Sequence, residues 1–416
     1  MDILVLAPQP FFVERGTPIA VDLVLRGLSK RKDRVDVLTY HLGEDVHYEG
    51  VTIYRTPDIP FIREIRPGFS MRKLVCDLLM LLWVFPLVLR KRYQVIHAVE
   101  EAVFIALLLK FLFRIPYVYD MDSSLSEQMI ERYPRLFRPV KFLLAFFERL
   151  AIRRAIAVVP VCDALVEDIA PYKPGRVVIL RDISLLASTS NPVKEDLRAE
   201  LGIEGPLMMY VGNLEDYQGI DLLLESFALA VKNARNNASL VIIGGKQADI
   251  QKYQALARSL NIHTRVHFLG PKPVENLADY LAQADILVSP RIKGKNTPMK
   301  IYSYLDSGKA LLATNLPTHT QVLNDNVALL VDPSPRVFSH GVLRLVEDRY
   351  LRQKLGQAAK ELVQERHTYT VFQETLNTLY DWIQIDLGLQ KTASGSIQTP
   401  EAFTAGLRQK KTTPND

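Results

Sequence analysis

Short continuous apolar runs alternate with longer segments of helical spacing, and the alternation occupies two long stretches of the chain. In the first, "DILVLAP" is an apolar run, "FFVERGTP" a loop, "IAVDLVLRGLSKRK" a segment of helical spacing and "RVDVLTY" the next apolar run. Further strands are predicted at "VTIYRT", "QVIHAV", "PYVYDMD", "AIAVVPV" and "RVVIL". Continuous apolar strands separated by helices predict a parallel sheet covered on both faces. The pattern stops at the polar "SLLASTSNPVKEDLRAELGIEGP" and then begins again. There "LMMYVGN", "SLVIIGG", "VHFLG", "DILVSP", "KALLATN" and "ALLVD" read as strands, with "DLLLESFALAVKNA", "IQKYQALARSLN" and "NLADYLAQA" as helices between them. The prediction is α/β, with two doubly wound βα domains over 1–190 and 191–369 facing one cleft and joined near 187–196. A helix within 370–388 is expected to return to the first domain. The segment 389–416, short of large apolar residues, is expected to be disordered.

A length of 416 residues is too great for one small core and agrees with this division. Cys76 and Cys162 both sit in apolar runs and supply neither a disulfide framework nor a four-ligand zinc site. A reducing, cytoplasmic compartment fits them. The opening "MDILVLAPQP" lacks the marks of a secretory leader and is expected to be a first buried strand.

The formal net charge of +5 is mild but unevenly placed. Between Pro60 and Arg154, sixteen Lys and Arg stand against nine Asp and Glu, in the most apolar region of the chain. There "LVCDLLMLLWVFPLVLRKR" is interrupted by Asp77 and Pro86 and falls short of the roughly 20 apolar residues that span a bilayer. "AVFIALLLKFLFR" and "RPVKFLLAFFERLAIRR" are shorter and mix Lys and Arg into Leu/Phe faces. Such segments either lie in a membrane interface, giving a peripheral contact through the N-terminal domain, or are core helices with basic ends. Both readings stay open. Nucleic acid is not an expected partner, because no reader motif accompanies the basic residues.

Ligands of open α/β sheets bind where loops leave the carboxyl ends of strands. In the first domain those loops hold Gly16, His97 and the "DMDSS" of Asp120 to Ser124; in the second they are "GNLEDYQG", "GGKQ" at Gly244 and Gly245, "GPKP" at Gly270, and "SPRIKGKNTPMKIYSYLDSGKALLATN". Gly16 begins no GxGxxG fingerprint, and it serves either a close phosphate approach or a plain turn. His97 is either a general base or the partner of a neighbouring strand. Asp120 and Asp122 stand two positions apart at the end of a predicted strand, and at most one of them is expected to face the cleft. The acidic residues are scattered and no His/Cys ligand spacing occurs, which gives a metal site little support.

The segment 289–315 gathers Arg291, Lys293, Lys295, Lys300 and Lys309 around Asn296, Thr297 and Pro298. Thr297 is the expected N-cap and Pro298 the expected first helical residue, with Gly308 ending the helix. A cation in the first turn opposes the helix dipole unless an anion sits there. Lys300 therefore points to a phosphate ligand, with a solvated basic loop as the alternative.

The domain order together with "YVGNLEDYQGIDLLLESF", "LVIIGG", "VHFLGPKPVENLADYLAQADILVSP" and "TPMKIYSYLDSGKALLAT" resembles the glycosyltransferases of family 4, with the GT-B fold of two Rossmann-like domains. The resemblance covers nearly all of 1–385 and is strongest in the second domain. It implies a UDP or GDP type nucleotide-sugar donor as substrate, no cofactor, no metal, transfer with retention, and a glycan or lipid-linked acceptor on the N-terminal side. It places Gly16, Asn213, Gln218, Gly244, Gly245, Gly270, Asn296, Thr297 and Ser303 around the donor, and His97 beneath the acceptor side. The chain departs from the family at Asn213 and Gln218, where an Arg and a Lys contact the diphosphate. The paired family Glu fall at Lys293 and Ile301, or at Lys295 and Ser303, depending on the anchor chosen. Where the family often has a His stand Met121 and Asp122, and Asp122 is expected to orient a sugar hydroxyl. With the leaving phosphate as base, the chemistry rests on Lys293, Lys295 and Lys300 stabilising the departing diphosphate. The departures also admit a non-catalytic GT-B binding or scaffold subunit; an epimerase or phosphorylase on this fold would need an acidic set or a cofactor lysine that is missing.

Overall fold

A computed structural model describes residues 1–13, 16–65, 70–125, 129, 139, 141–186, 195–233 and 237–389. Most of the expected linker, and the tail beyond 389, lie outside the described residues. Met1–Asn377 form one compact unit that holds both sheets, and Thr378–Asp416 form a second.

The first part of the chain runs β1 (Asp2–Ala7), α1 (Gly16–Lys30), β2 (Arg34–Thr39), β3 (Val51–Arg55), α2 (Met71–Arg90), β4 (Val95–Val99), α3 (Ala102–Phe113), β5 (Tyr117–Met121), α4 (Lys141–Arg154), β6 (Ala157–Pro160) and α5 (Asp163–Ile169). The second runs α6 (Leu197–Leu201), β7 (Leu207–Val211), α7 (Ile220–Asn233), β8 (Ser239–Ile243), α8 (Gln247–Ser259), β9 (Val266–Gly270), α9 (Leu277–Gln283), β10 (Ile286–Ser289), α10 (Lys300–Asp306), β11 (Ala310–Thr314), α11 (Pro317–Thr320), β12 (Leu329–Val331), α12 (Pro335–Glu347), α13 (Arg349–Arg366) and α14 (Tyr369–Asp386).

Both sheets are six-stranded and parallel, in the orders β3-β2-β1-β4-β5-β6 and β12-β11-β10-β7-β8-β9. Renumbered within its half, the second order is the first one reversed, so the two sheets share one doubly wound topology. This is the two-domain GT-B architecture. The apolar runs explain the strands: β4 and β5 are buried at every position, as a central parallel strand must be. Alternation then divides the core, with Met208 and Tyr210 of β7 packing on one face of the second sheet and Leu207 and Met209 on the other.

One expected strand is reduced. Over 176–180 the chain makes only a bridge between Val158 and Val177, with Val178 N–H donating to Val158 O at 3.0 Å and Leu180 N–H to Pro160 O at 3.2 Å. By Leu185 it is already bonded to α10, its N–H donating to Ser303 Oγ at 3.0 Å. At the start of α14, Gln373 Nε2 donates to Gly27 O of α1 at 3.1 Å, and Arg31 Nη1 to Asn377 O at 3.2 Å.

In each sheet the strand order reverses direction between two central strands, β1 and β4 in the first and β7 and β10 in the second. A crevice opens beyond the carboxyl ends of such a pair. The topology therefore nominates the residues after Val211 and Ser289, and in the first sheet those after Ala7 and Val99.

Candidate active site

Beyond β7 the chain turns at Gly212 and enters a short 3-10 turn at Asp216–Gln218 that ends on Gly219. Gly219 has φ +73°, and a Cβ there would lie 2.1 Å from Pro290 O. Only glycine combines that left-handed backbone with so close an approach. The contact holds the turn against the end of β10, where Ile292 N–H also donates to Tyr217 O at 3.0 Å. The two loops nominated by the topology are thus one bonded body.

Arg291 organises the second of them. It is buried, its Nε donates to Lys293 O at 2.6 Å, its Nη2 donates to Asn296 Oδ1 at 3.1 Å, and its guanidinium lies 5.3 Å from the Tyr217 ring centre. Thr314 Oγ1 fixes the backbone by donating to Arg291 O at 2.6 Å, and Thr318 Oγ1 donates to Asn296 O at 2.8 Å. His319 is bonded to Ser289 Oγ and to Thr314, and burial takes its pKa down to about 4, so at neutral pH it is an uncharged strut.

Lys300 differs from the other lysines. Its ammonium is buried 3.9 Å from the centre of the Tyr210 ring, 3.0 Å from where a Cβ on Gly212 would stand, and has no hydrogen-bond partner. Burial, with the Arg291 charge nearby, pushes its pKa well below the ordinary lysine value. Burial also lowers that of Arg291. Among the described residues neither cation has a carboxylate partner. An enclosed, uncompensated ammonium costs several kcal/mol, and an anion supplied from outside removes that cost.

The remaining expected residues divide. Gln218 is buried beside this body with its Oε1 unpartnered. Asn213 is turned into its own loop, Nδ2 donating to Tyr217 Oη at 3.3 Å and Oδ1 accepting from Glu215 N–H. Lys293 is exposed, and Lys295 Nζ donates to Asp168 of α5 at 2.9 Å. Thr297 is buried but does not cap the helix: α10 starts at Lys300, with Met299 in the cap position, because the Pro298 carbonyl has already closed a tight turn on Ile301 N–H. With seven residues α10 offers little dipole, and the cation itself is the stronger feature. Ser303 is buried with its hydroxyl on Leu185 N–H, so it holds the crossing between the sheets. Gly244 and Gly245 serve packing, since a Cβ on them would lie 2.2 Å from Gly212 O and 2.4 Å from Leu214 Cδ1. Gly270 is open, its nearest Cβ neighbour 4.0 Å away.

On the first sheet, a Cβ at Gly16 would meet nothing within 4 Å, so no protein contact demands glycine there. His97 is fully buried, with Nε2 3.1 Å from Asp120 Oδ2 on the neighbouring strand. The expected separation of Asp120 and Asp122 fails, because strand positions two apart share a face, and β5 in any case ends at Met121, before Asp122. Asp122 instead shares one group with Asp120 and Asp182: burial, then the Asp120 charge, raises its pKa to about 7, against a hydrogen bond to Thr17. Asp182 is raised well above the carboxylate range by burial and by those two charges. Glu100 joins them, held by Ser123 Oγ at 3.0 Å and raised by burial and by Asp122. Asp182 also acts electrostatically on Tyr302 of α10, so the acidic edge of the first sheet reaches the helix that carries Lys300.

Arg291 as organiser, and Glu100 and Asp182 as members of the acidic group, were not singled out from the sequence. Arg291 reads there as one cation among five, and the two acids are distant along the chain.

Two family models match the chain: "Glycosyl transferase 4-like domain" over residues 15–182 and "Glycosyl transferases group 1" over residues 193–362. On this fold they indicate a GT-B glycosyltransferase. Among curated relatives, the glycosyltransferase is 22% identical to an uncharacterized glycosyltransferase of Methanocaldococcus jannaschii, over 80% of this chain and 90% of that one. It is 27% identical to the D-inositol 3-phosphate glycosyltransferase of Corynebacterium diphtheriae over 52% of this chain, and the match spans about half of that relative's length. Solved structures of similar fold include the sucrose-phosphate synthase of Thermosynechococcus elongatus, with a TM-score of 0.75 at 17% identity over 92% of this chain and 99% of that one. Another is HepE of Anabaena, solved with UDP-glucose, with a TM-score of 0.69 at 16% identity over 92% of this chain and 100% of that one.

Proposed function

We propose that this glycosyltransferase moves a sugar from a nucleoside diphosphate sugar, of UDP or GDP type, to a glycan or lipid-linked acceptor, with retention of configuration and without a metal. The observation that carries the reading is the buried, unpartnered Lys300 ammonium over Gly212, beside Arg291. Two enclosed cations at the switch point of the second sheet suit the diphosphate of such a donor. The similar HepE structures hold UDP and UDP-glucose, which favours the uridine type.

In this reading the bond between the anomeric carbon and the diphosphate oxygen breaks, and the acceptor oxygen forms its bond to the same face of that carbon. The acceptor proton passes to the leaving phosphate. Lys300 and Arg291 stabilise the charge that grows on the departing diphosphate, where pre-set charges in a dry site act most strongly. Asp122 and its acidic neighbours stand on the facing edge, suited to accepting hydrogen bonds from sugar hydroxyls. Retention is supported by the resemblance of the second domain to retaining enzymes.

Calorimetric titration of UDP, GDP, ADP and their sugars into the wild type and Lys300→Ala tests the reading. The expected result is selective binding that weakens at least about thirtyfold in the variant, as for loss of a buried charged partner. Equal binding by both proteins would sink it. Tight binding without turnover of any sugar would point to a non-catalytic subunit.

A further inference from the structure

Helices α2, α3 and α4 all pack on the same face of the first sheet, through Met80 and Val84, Ala106 and Leu109, and Ala151 and Ile152. They therefore form one layer, and their outer sides look the same way. A surface layer of this kind is normally polar outside. Here the outer stripes are apolar as well: Leu78 and Leu82 on α2, Leu108, Phe111 and Leu112 on α3, and Phe146 on α4 are all exposed. Of the twenty-two exposed large apolar side chains among the described residues, sixteen lie on these three helices. So large a concentration marks a binding surface.

Charge identifies the occupant. The three helices carry eight Lys and Arg against two carboxylates, Asp77 and Glu148. Both acids are engaged inward. Asp77 accepts from the buried Tyr40 hydroxyl, and Glu148, itself buried, accepts from Leu125 N–H at 2.9 Å. Arg90, Arg149, Arg153 and Arg154, with Arg114 just beyond α3, are exposed around the apolar stripes. A second copy of this face would bring like charges together. No helix among the described residues is long and apolar enough to cross a membrane.

We propose that the outer face of α2, α3 and α4 is a monotopic docking surface for an anionic lipid bilayer, with the apolar stripes entering the headgroup boundary and the cations meeting lipid phosphates. The surface is defined independently of the sugar-transfer reading. It adds a consequence to that reading. The N-terminus of α3 follows directly on Glu100 and Glu101, at the carboxyl edge of the first sheet. A docked bilayer therefore lies alongside the acidic group, where a lipid-linked acceptor would be presented from the membrane plane.

The test is flotation of the full chain with vesicles of phosphatidylglycerol mixed into phosphatidylcholine, against phosphatidylcholine alone. Trp83, exposed on α2, provides a direct probe, and Trp382→Phe leaves it as the sole tryptophan. The expected result is flotation with the anionic vesicles only, a blue shift of Trp83 emission, and weakening by added salt. Leu78→Glu with Leu82→Glu, Phe111→Glu and Leu112→Glu should abolish it while leaving the melting curve in place. Because those changes are drastic, Arg90→Gln, Arg114→Gln and Arg153→Gln form a second arm, each lowering vesicle affinity about fivefold. Failure of the wild type to float at low salt overturns the proposal, as does equal flotation by the variants. So does a wild-type dimer in light scattering, dissolved by the glutamate variant and accompanied by no flotation, since a second copy would then cover the face. Loss of nucleotide binding alone would bear on the transfer reading and leave this one standing.

Discussion

Asp122 titrates in company. Burial and the Asp120 charge raise its pKa to about 7, far above the ordinary aspartate value. The sign of the effect follows from linkage. Between about pH 4 and pH 7 the folded protein holds a proton that the unfolded chain releases, so this group's contribution to stability is full at lower pH and is lost as pH rises through that window. Asp122→Asn removes the titration and can still meet Thr17. It should raise stability near pH 8 relative to wild type and flatten the fall between pH 4 and 7, each unit of displacement being worth about 1.4 kcal/mol. Denaturant titrations at pH 4.5, 6 and 8 measure this. Parallel curves for the two proteins would show that Asp122 ionises freely. Lys300 obeys the same rule in reverse, since its folded value is depressed and the cost of its charge fades as pH rises. Both residues carry their strain at the carboxyl edges of the two sheets.

The basic loop after β10 works as a unit because Arg291 spans it, with one hydrogen bond to Lys293 O and another to Asn296 Oδ1. Gly294 belongs to the same arrangement: at φ +120°, a Cβ on it would stand 2.0 Å from Arg291 Nη2. Arg291→Lys keeps the charge but loses the planar fork. Amide hydrogen exchange over 292–297 should rise with little change in global melting, and nucleotide affinity should fall about tenfold for two lost hydrogen bonds. Unchanged exchange in the loop would mean that Thr314 and Thr318 hold it unaided. At this scale the sequence was readable where a strand's apolar run left no alternative, as in β1, β4, β7 and β10. It was not readable at the start of α10, where Thr297 and Pro298 look like a cap and a first residue. Burial of Thr297 and the turn closed by Pro298 O moved the start to Lys300. The helix period says nothing of the acidic group either, since Glu100, Asp122 and Asp182 converge only because β4, β5 and the crossing segment end at one edge.

Among the described residues of Met1–Asn377, several bonds tie the two sheets, and the positions of three are informative. Lys295 pairs with Asp168, Ala164 N–H donates to Gln321 Oε1 at 3.3 Å, and Leu185 N–H donates to Ser303 Oγ. The first is half-exposed and contributes modestly to stability. The last is enclosed: Ser303 is 1% exposed, on the helix that carries Lys300. By one anchor, the resemblance aligns Ser303 with a family glutamate, and this raises a question about the molecule as a whole. If position 303 only lost a ligand carboxylate, Ser303→Glu should restore it, tightening nucleotide binding at unchanged stability. If the position now joins the sheets, the variant forces a longer, charged side chain into a dry contact and leaves Leu185 N–H poorly matched. The buried geometry favours the second outcome, a loss of about 3 kcal/mol or more in denaturant titration with no gain in UDP affinity. Tighter UDP binding in a variant of wild-type stability would return Ser303 to the donor site.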